Sequence, residues 1–111
     1  MQLETLFGNQ TTERILLHLF HYGEIHARGI ASDFRSSSTP FLRQFNRLEN
    51  AGILVSRAVG RTRLYQFNPK SPFTTPLKKM IEIIYESIPL REREQIFHTR
   101  RRPRRKGKPV L

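Results

Sequence analysis

Arginine side chains supply most of the chemistry that the middle of this sequence could perform. Between residues 35 and 70 there are six arginines and one lysine against a single acid, Glu49. A guanidinium group forms two parallel hydrogen bonds with a phosphate or with the edge of a guanine. This segment is therefore a candidate surface for a polyanionic partner.

The charge of the whole chain supports the same expectation. The 111 residues contain 20 Lys and Arg against 9 Asp and Glu, a formal charge of +11, which exceeds what solubility requires. Residues 1–34 are nearly balanced in charge. Residues 99–111 contain no acid and only two apolar residues, so they are predicted to form a disordered basic tail.

Several kinds of function are excluded or disfavoured by composition. The chain has no cysteine, so it forms no disulfide, thiolate metal site or cysteine nucleophile. No glycine-rich phosphate loop or Ser/His/Asp arrangement is recognisable, so no enzymatic activity is expected. The histidines, His18 and His21 among them, have no thiolate to complete a metal site, so neither metal nor cofactor is expected.

The N-terminal stretch lacks an apolar signal region, and no run approaches the roughly 18 apolar residues that span a bilayer. We therefore expect a soluble cytoplasmic protein without a membrane partner.

Apolar spacing predicts three helices in the first half of the chain. Asn9 is a candidate cap of the first helix, and Gly23 ends it. A short strand is possible at 24–26, and a second helix is predicted over 27–34. The third helix, 37–51, begins at Ser37 or Ser38, carries Phe41, Phe45 and Leu48 on its buried side, and is closed by Gly52.

The second half is predicted to contain a hairpin and a further helix. Two alternating runs, 53–59 and 63–68, flank Gly60-Arg61-Thr62. A helical stripe follows over 77–88, and a short helix over 90–98. The stripe consists of Leu77, Met80, Ile81, Ile84 and Ile88.

Three helices followed by a hairpin, with a serine-rich turn before the third helix, is the order of a winged helix domain. The run SSSTPFLRQFNRLENAGILVSRAVGRTRLYQFNP resembles the recognition helix and wing of ArsR-like winged helix regulators. In those proteins the helix ends in leucine, an acid, Ala-Gly and an apolar pair, as it does here from Leu48 to Leu54. The opening LFGNQTTERILLHLF is also similar, and the resemblance covers residues 5 to 88. One departure is Arg35-Ser36, where such families usually have a glycine and an apolar residue.

The resemblance implies a mainly α fold with a small β-hairpin: a winged helix-turn-helix domain over 1–70, a C-terminal helical extension over 71–98 and the tail over 99–111. It implies a sequence-specific DNA-binding transcriptional regulator, with helix 37–51 in the major groove and wing 53–68 on the flanking groove. A repressor is expected because little room remains for an activation domain. The expected DNA contacts are Ser38, Thr39, Arg43, Asn46, Arg47, Arg57, Arg61 and Arg63.

Three alternatives stay open at this point. The stripe over 77–88 could cover the domain's own core or pair with the same helix of a second chain, and a homodimer is the favoured interpretation. Arg47 could instead pair with Glu49. The rival function is an RNA-binding or protein-docking winged helix adaptor that uses the tail as an arm.

Overall fold

Capping residues fix the bounds of the first helix. In the computed structural model, which describes residues 8–97, α1 spans Gln10–Tyr22. The side chain of Asn9 accepts a hydrogen bond of 2.6 Å from the Thr12 amide, and the Gly23 amide donates to the Leu19 carbonyl. The predicted cap and end of this helix are confirmed. Strand β1 (Glu24–Ile25) and helix α2 (Ala27–Asp33) follow at once.

Helix α3 (Thr39–Asn50) ends as predicted, but it begins differently. Ser38 is the N-cap residue, yet its side chain makes no capping hydrogen bond. Its backbone is already helical (φ −77°, ψ −19°), and Pro40 at the second helical position has no N–H to donate. At the other end Gly52 has φ +79°, and the amides of Gly52 and Ile53 donate to the carbonyls of Glu49 and Leu48, the pattern of a Schellman cap.

The turn between α2 and α3 contains a left-handed residue. Arg35 has φ +52° and is the only residue other than glycine with a positive φ within residues 8–97. It occupies the place where the sequence departs from the glycine usual in similar turns. The resulting turn still closes, because the amides of Arg35 and Ser36 donate to carbonyls of α2.

The hairpin joins a small antiparallel sheet. Strands β2 (Leu54–Val59) and β3 (Thr62–Phe67) pair from Leu54 opposite Phe67 to Val59 opposite Thr62, so the predicted hairpin is confirmed. Strand β1 pairs with the other edge of β3, giving the order β1-β3-β2. The short strand that the sequence left open is therefore part of the sheet.

Helices α4 (Thr74–Ser87) and α5 (Leu90–Ile96) complete the described chain. Helix α4 packs against α1, so residues on both sides of the connection at 68–73 share one core. Ile81, Ile84 and Ile88 are buried and Leu77 packs beside them, so these stripe residues cover this chain's own core, the alternative that the sequence analysis did not favour. Met80 and Ile83, in contrast, are exposed.

A buried polar contact links α1 to α2. Nε2 of His18 lies 2.8 Å from the Asp33 carboxylate, and Nδ1 donates to the Arg14 carbonyl at 3.0 Å. Both side chains are almost fully buried. Because a broken buried pair is costly, this contact fixes α2 against α1.

No helix within residues 8–97 is long and apolar enough to cross a bilayer. The predicted basic tail, 99–111, lies outside the described residues, as does His98 at the end of the last predicted helix.

Candidate nucleic-acid interface

An open groove of about 390 Å³ lies between α3 and the β2–β3 hairpin, and the start of α2 contributes to its wall. Three separate segments of the sequence therefore meet there. We call it the basic groove. One wall is formed by His26, which directly precedes α2, and by Ala27 and Arg28 of α2. The others are formed by Ser38, Leu42 and Asn46 on the α3 side and by Arg61, Thr62, Arg63 and Tyr65 of the hairpin.

The α3 side of the groove follows from helical spacing. Ser38, Leu42 and Asn46 are four residues apart and so lie on one side of the helix. Phe41 and Phe45 are buried on the core side. Of the sequence-predicted contacts, Ser38 and Asn46 therefore line the groove.

Thr39 and Arg43 are exposed on the neighbouring outward side of α3. Together with Asn46 and Asn50 they form a polar surface that we call the reading face. It contains no acid. Glu49, the one acid of α3, lies outside this surface and is hydrogen-bonded to the hairpin. The reading face and the basic groove are adjacent and share Asn46.

A short network fixes the hairpin to α3. The Ser56 hydroxyl donates to Glu49 at 2.6 Å and accepts from Nη1 of Arg63 at 3.0 Å. Tyr65 stacks on Phe45 with ring centroids 4.2 Å apart and planes 12° apart. The hairpin is thus held against the helix both by an aromatic stack and by polar contacts.

Tyr65 stays neutral in this setting. Burial raises the pKa of its phenol, and the nearby carboxylate of Glu49 raises it further, while Arg63 opposes both. The wall beneath the groove is therefore an uncharged aromatic surface at neutral pH.

Arg28 and His26 are groove residues that the sequence analysis did not identify. They are placed by the pairing of Ile25 with Tyr65, which brings the start of α2 beside the hairpin. The His26 side chain also caps α2, since its Nδ1 accepts from the Gly29 amide at 3.1 Å. A two-residue strand carries too little sequence signal to predict this meeting.

Two of the predicted contacts lie elsewhere. Arg47 donates to Gln44 at 2.8 Å and to Thr12 of α1 at 3.2 Å, not to Glu49. Arg57 pairs with Glu24 at 3.0 Å. Because successive strand residues face opposite sides, Arg57 lies on the side of the sheet away from Ser56.

The lining of the basic groove is electrostatically one-sided. It contains three arginines, Arg28, Arg61 and Arg63, and no acidic residue. Cations from α2 and from the hairpin that face one cleft raise the local concentration of an anion more than the same charges would if they were dispersed. The arrangement can bind a phosphate-bearing chain, with hydrogen-bonding side chains of α3 alongside.

Within residues 8–97, no three His, Asp or Glu side chains are grouped so as to hold a metal ion. Comparison of the chain with models of known families, with characterised proteins and with solved structures finds no match.

Proposed function

We propose that this protein is a sequence-specific DNA-binding transcriptional regulator of the winged helix-turn-helix type, without enzymatic activity. In this proposal α3 enters the major groove of duplex DNA, and the hairpin acts as the wing that contacts the flanking backbone. The resemblance to ArsR-like regulators supports it, as does the order of helices and strands.

The observation that carries the proposal is the joining of the reading face to the basic groove. The reading face offers hydrogen-bonding groups without a competing acid, and the groove beside it holds three arginines. DNA needs this combination, because phosphate contacts position a protein and base contacts give it specificity.

The dimensions of α3 are suited to B-form DNA. A helix with its side chains is about 10–12 Å wide, and the major groove is about 12 Å wide. In duplex RNA the major groove is deep and narrow, and side chains do not reach its bases. A helical reading face therefore favours duplex DNA over duplex RNA.

Each group has a chemical role in this proposal. Arg43 is suited to the O6 and N7 acceptors of a guanine, and Asn46 to the N6 and N7 groups of an adenine. Arg28, Arg61 and Arg63 bind phosphates or, at the wing tip, a narrow minor groove. Arg47 and Arg57 are assigned no base or phosphate here, because Arg47 reaches toward Thr12 of α1 and Arg57 lies on the other side of the sheet beside Glu24.

We further propose that two copies pair through the exposed side of α4. Met80 and Ile83 are exposed there, and Phe73, seven residues before Met80, is exposed as well. Lys79 and Glu86 are seven residues apart beside this apolar strip. An antiparallel, two-fold pairing of α4 brings Lys79 of each copy near Glu86 of the other, and such symmetry matches a palindromic operator.

Selection of duplexes from a random pool at physiological salt tests the DNA-binding proposal. We expect enrichment of one motif, bound on the order of 10³-fold or more tightly than a scrambled duplex. An RNA duplex of the same sequence is expected to bind no better than scrambled DNA. Equal binding of all DNA duplexes, with a preference for RNA or for a protein, would overturn the proposal in favour of an adaptor.

A further inference from the structure

Leu42 is an apolar side chain in an otherwise polar place. It is 42% exposed and lines the basic groove. Ser38 lies one turn before it and Asn46 one turn after it on the same side of α3. The leucine is therefore set between two hydrogen-bonding residues, at the junction of the reading face and the groove.

Exposure of a leucine carries little information by itself, but this position does. The other exposed large apolar residues of the described chain lie on or beside α4 and α5 or at the end of β2: Val59, Phe73, Met80, Ile83 and Leu90. Within residues 8–97, Leu42 is the only exposed large apolar side chain in the groove lining. It is thus too isolated to form an apolar patch for a protein partner.

If the groove binds an anionic partner, a single apolar side chain among cations and hydrogen-bonding groups is complementary to a small apolar group on that partner. In the major groove of DNA that group is the C5-methyl of thymine, which distinguishes thymine from cytosine. The arginines of the same groove are suited to phosphates. Duplex DNA is a single partner that carries both the phosphates and the methyl group.

We infer that Leu42 selects a thymine in the DNA site by packing against its C5-methyl group. The inference rests on the proposed function and deepens it, since it names a base and the side chain that reads it. Ser38 and Asn46 on either side contact neighbouring groups, so the thymine lies inside the recognised motif.

Replacement of thymine by uracil tests this inference with the wild-type protein. Each thymine of the selected duplex is changed singly to deoxyuridine, which removes one methyl group and keeps the base pair. We expect one position at which affinity falls about three- to fivefold, the effect of burying one methyl group. The other positions are expected to change little.

Two variants then assign the effect to a residue. Leu42→Ala is expected to bind the thymine duplex three- to fivefold more weakly than wild type does, and to bind the thymine and uracil duplexes equally. Asn46→Ala, one turn away, is expected to keep the preference for thymine. Circular dichroism of each variant checks that the fold is intact.

The outcomes separate this inference from the proposal beneath it. If the random pool yields no preferred duplex, the proposed function fails. If a motif is selected but no uracil substitution weakens wild-type binding, or Leu42→Ala keeps the thymine preference, the inference alone is overturned. Loss of the preference in Leu42→Ala and its retention in Asn46→Ala support the inference.

Discussion

The imidazole of His21 joins α1 to the C-terminal helices. Its Nδ1 and the Tyr85 hydroxyl share a hydrogen bond of 2.7 Å, and its ring stacks on Phe97 with centroids 4.4 Å apart. Burial lowers the pKa of His21, His18 and Arg93 lower it further, and Asp33 opposes them. The folded state therefore favours the neutral ring.

This lowered pKa predicts a stability that depends on pH. Below the ordinary value of 6.5 the unfolded chain takes up a proton on His21 more readily than the folded protein does. The free energy of unfolding should thus decrease as pH falls through this range. Urea denaturation at about pH 7.5 and about pH 5.5 should give a larger decrease for wild type than for His21→Gln. Equal decreases would contradict the assignment.

The left-handed backbone of Arg35 makes a second prediction. A residue with a Cβ is strained at φ +52°, and glycine is not. Arg35→Gly should therefore be about 1 kcal/mol more stable than Arg35→Ala, which keeps the strain. Chemical denaturation of both variants measures the difference. Both variants lose the guanidinium group, so their DNA affinities should change by the same amount. Equal stabilities of the two variants would show that the turn relaxes without cost.

Among the elements, the hairpin depends on Ser56 for its position against α3. Ser56→Ala removes the donor to Glu49 and the acceptor of Arg63 at once. We expect the free energy of unfolding to fall by about 1–3 kcal/mol, because the half-buried carboxylate is left without that donor.

Ser36→Ala is the matched control, since Ser36 is exposed and its hydroxyl bonds only to the next residue's carbonyl. It should change stability by no more than about 0.5 kcal/mol. Equal effects of the two substitutions in a urea titration would mean that the network contributes nothing to the fold.

The sequence predicts most elements because their signals are local. Asn9, Gly23 and Gly52 act within a few residues of themselves, and the hairpin follows from alternation around Gly60. Ser38 is the N-cap residue of α3, one of the two serines that the sequence offered, but its backbone is already helical and its side chain makes no capping hydrogen bond.

The candidate site was predictable only in part, because it depends on contacts between distant segments. Helical spacing predicted that Ser38 and Asn46 face away from the core, and in the structure both line the groove. It could not place Arg28, which reaches the groove through the pairing of β1 with β3, nor the partner of Arg47 on α1. Likewise, the periodicity of α4 is apolar on more than one side, and only packing distinguishes its core side from its exposed side.

For the molecule as a whole, pairing through α4 predicts the effect of a charge at Ile83, which is 72% exposed. Ile83→Glu should leave the fold intact but make the protein more monomeric than wild type, because the charge would be buried between two copies. Sedimentation over a range of concentrations measures this shift.

Thr75→Glu, an exposed change on the polar side of the same helix, should keep the wild-type mass. A monomeric wild type, or a dimer that survives Ile83→Glu, would exclude this surface as the interface.

The central claim is that α3 reads bases, and two arginines of equal charge test it. Arg43 lies on the reading face, whereas Arg57 pairs with Glu24 on the far side of the sheet. The direct measurement is the DNA affinity of Arg43→Ala and of Arg57→Ala. Each variant is measured on the selected duplex and on a scrambled one, at two salt concentrations. Arg43→Ala should lose about 1–3 kcal/mol on the selected duplex and much less on the scrambled one, while Arg57→Ala changes both little. If Arg43→Ala weakens binding to the selected and the scrambled duplex equally, the claim is contradicted.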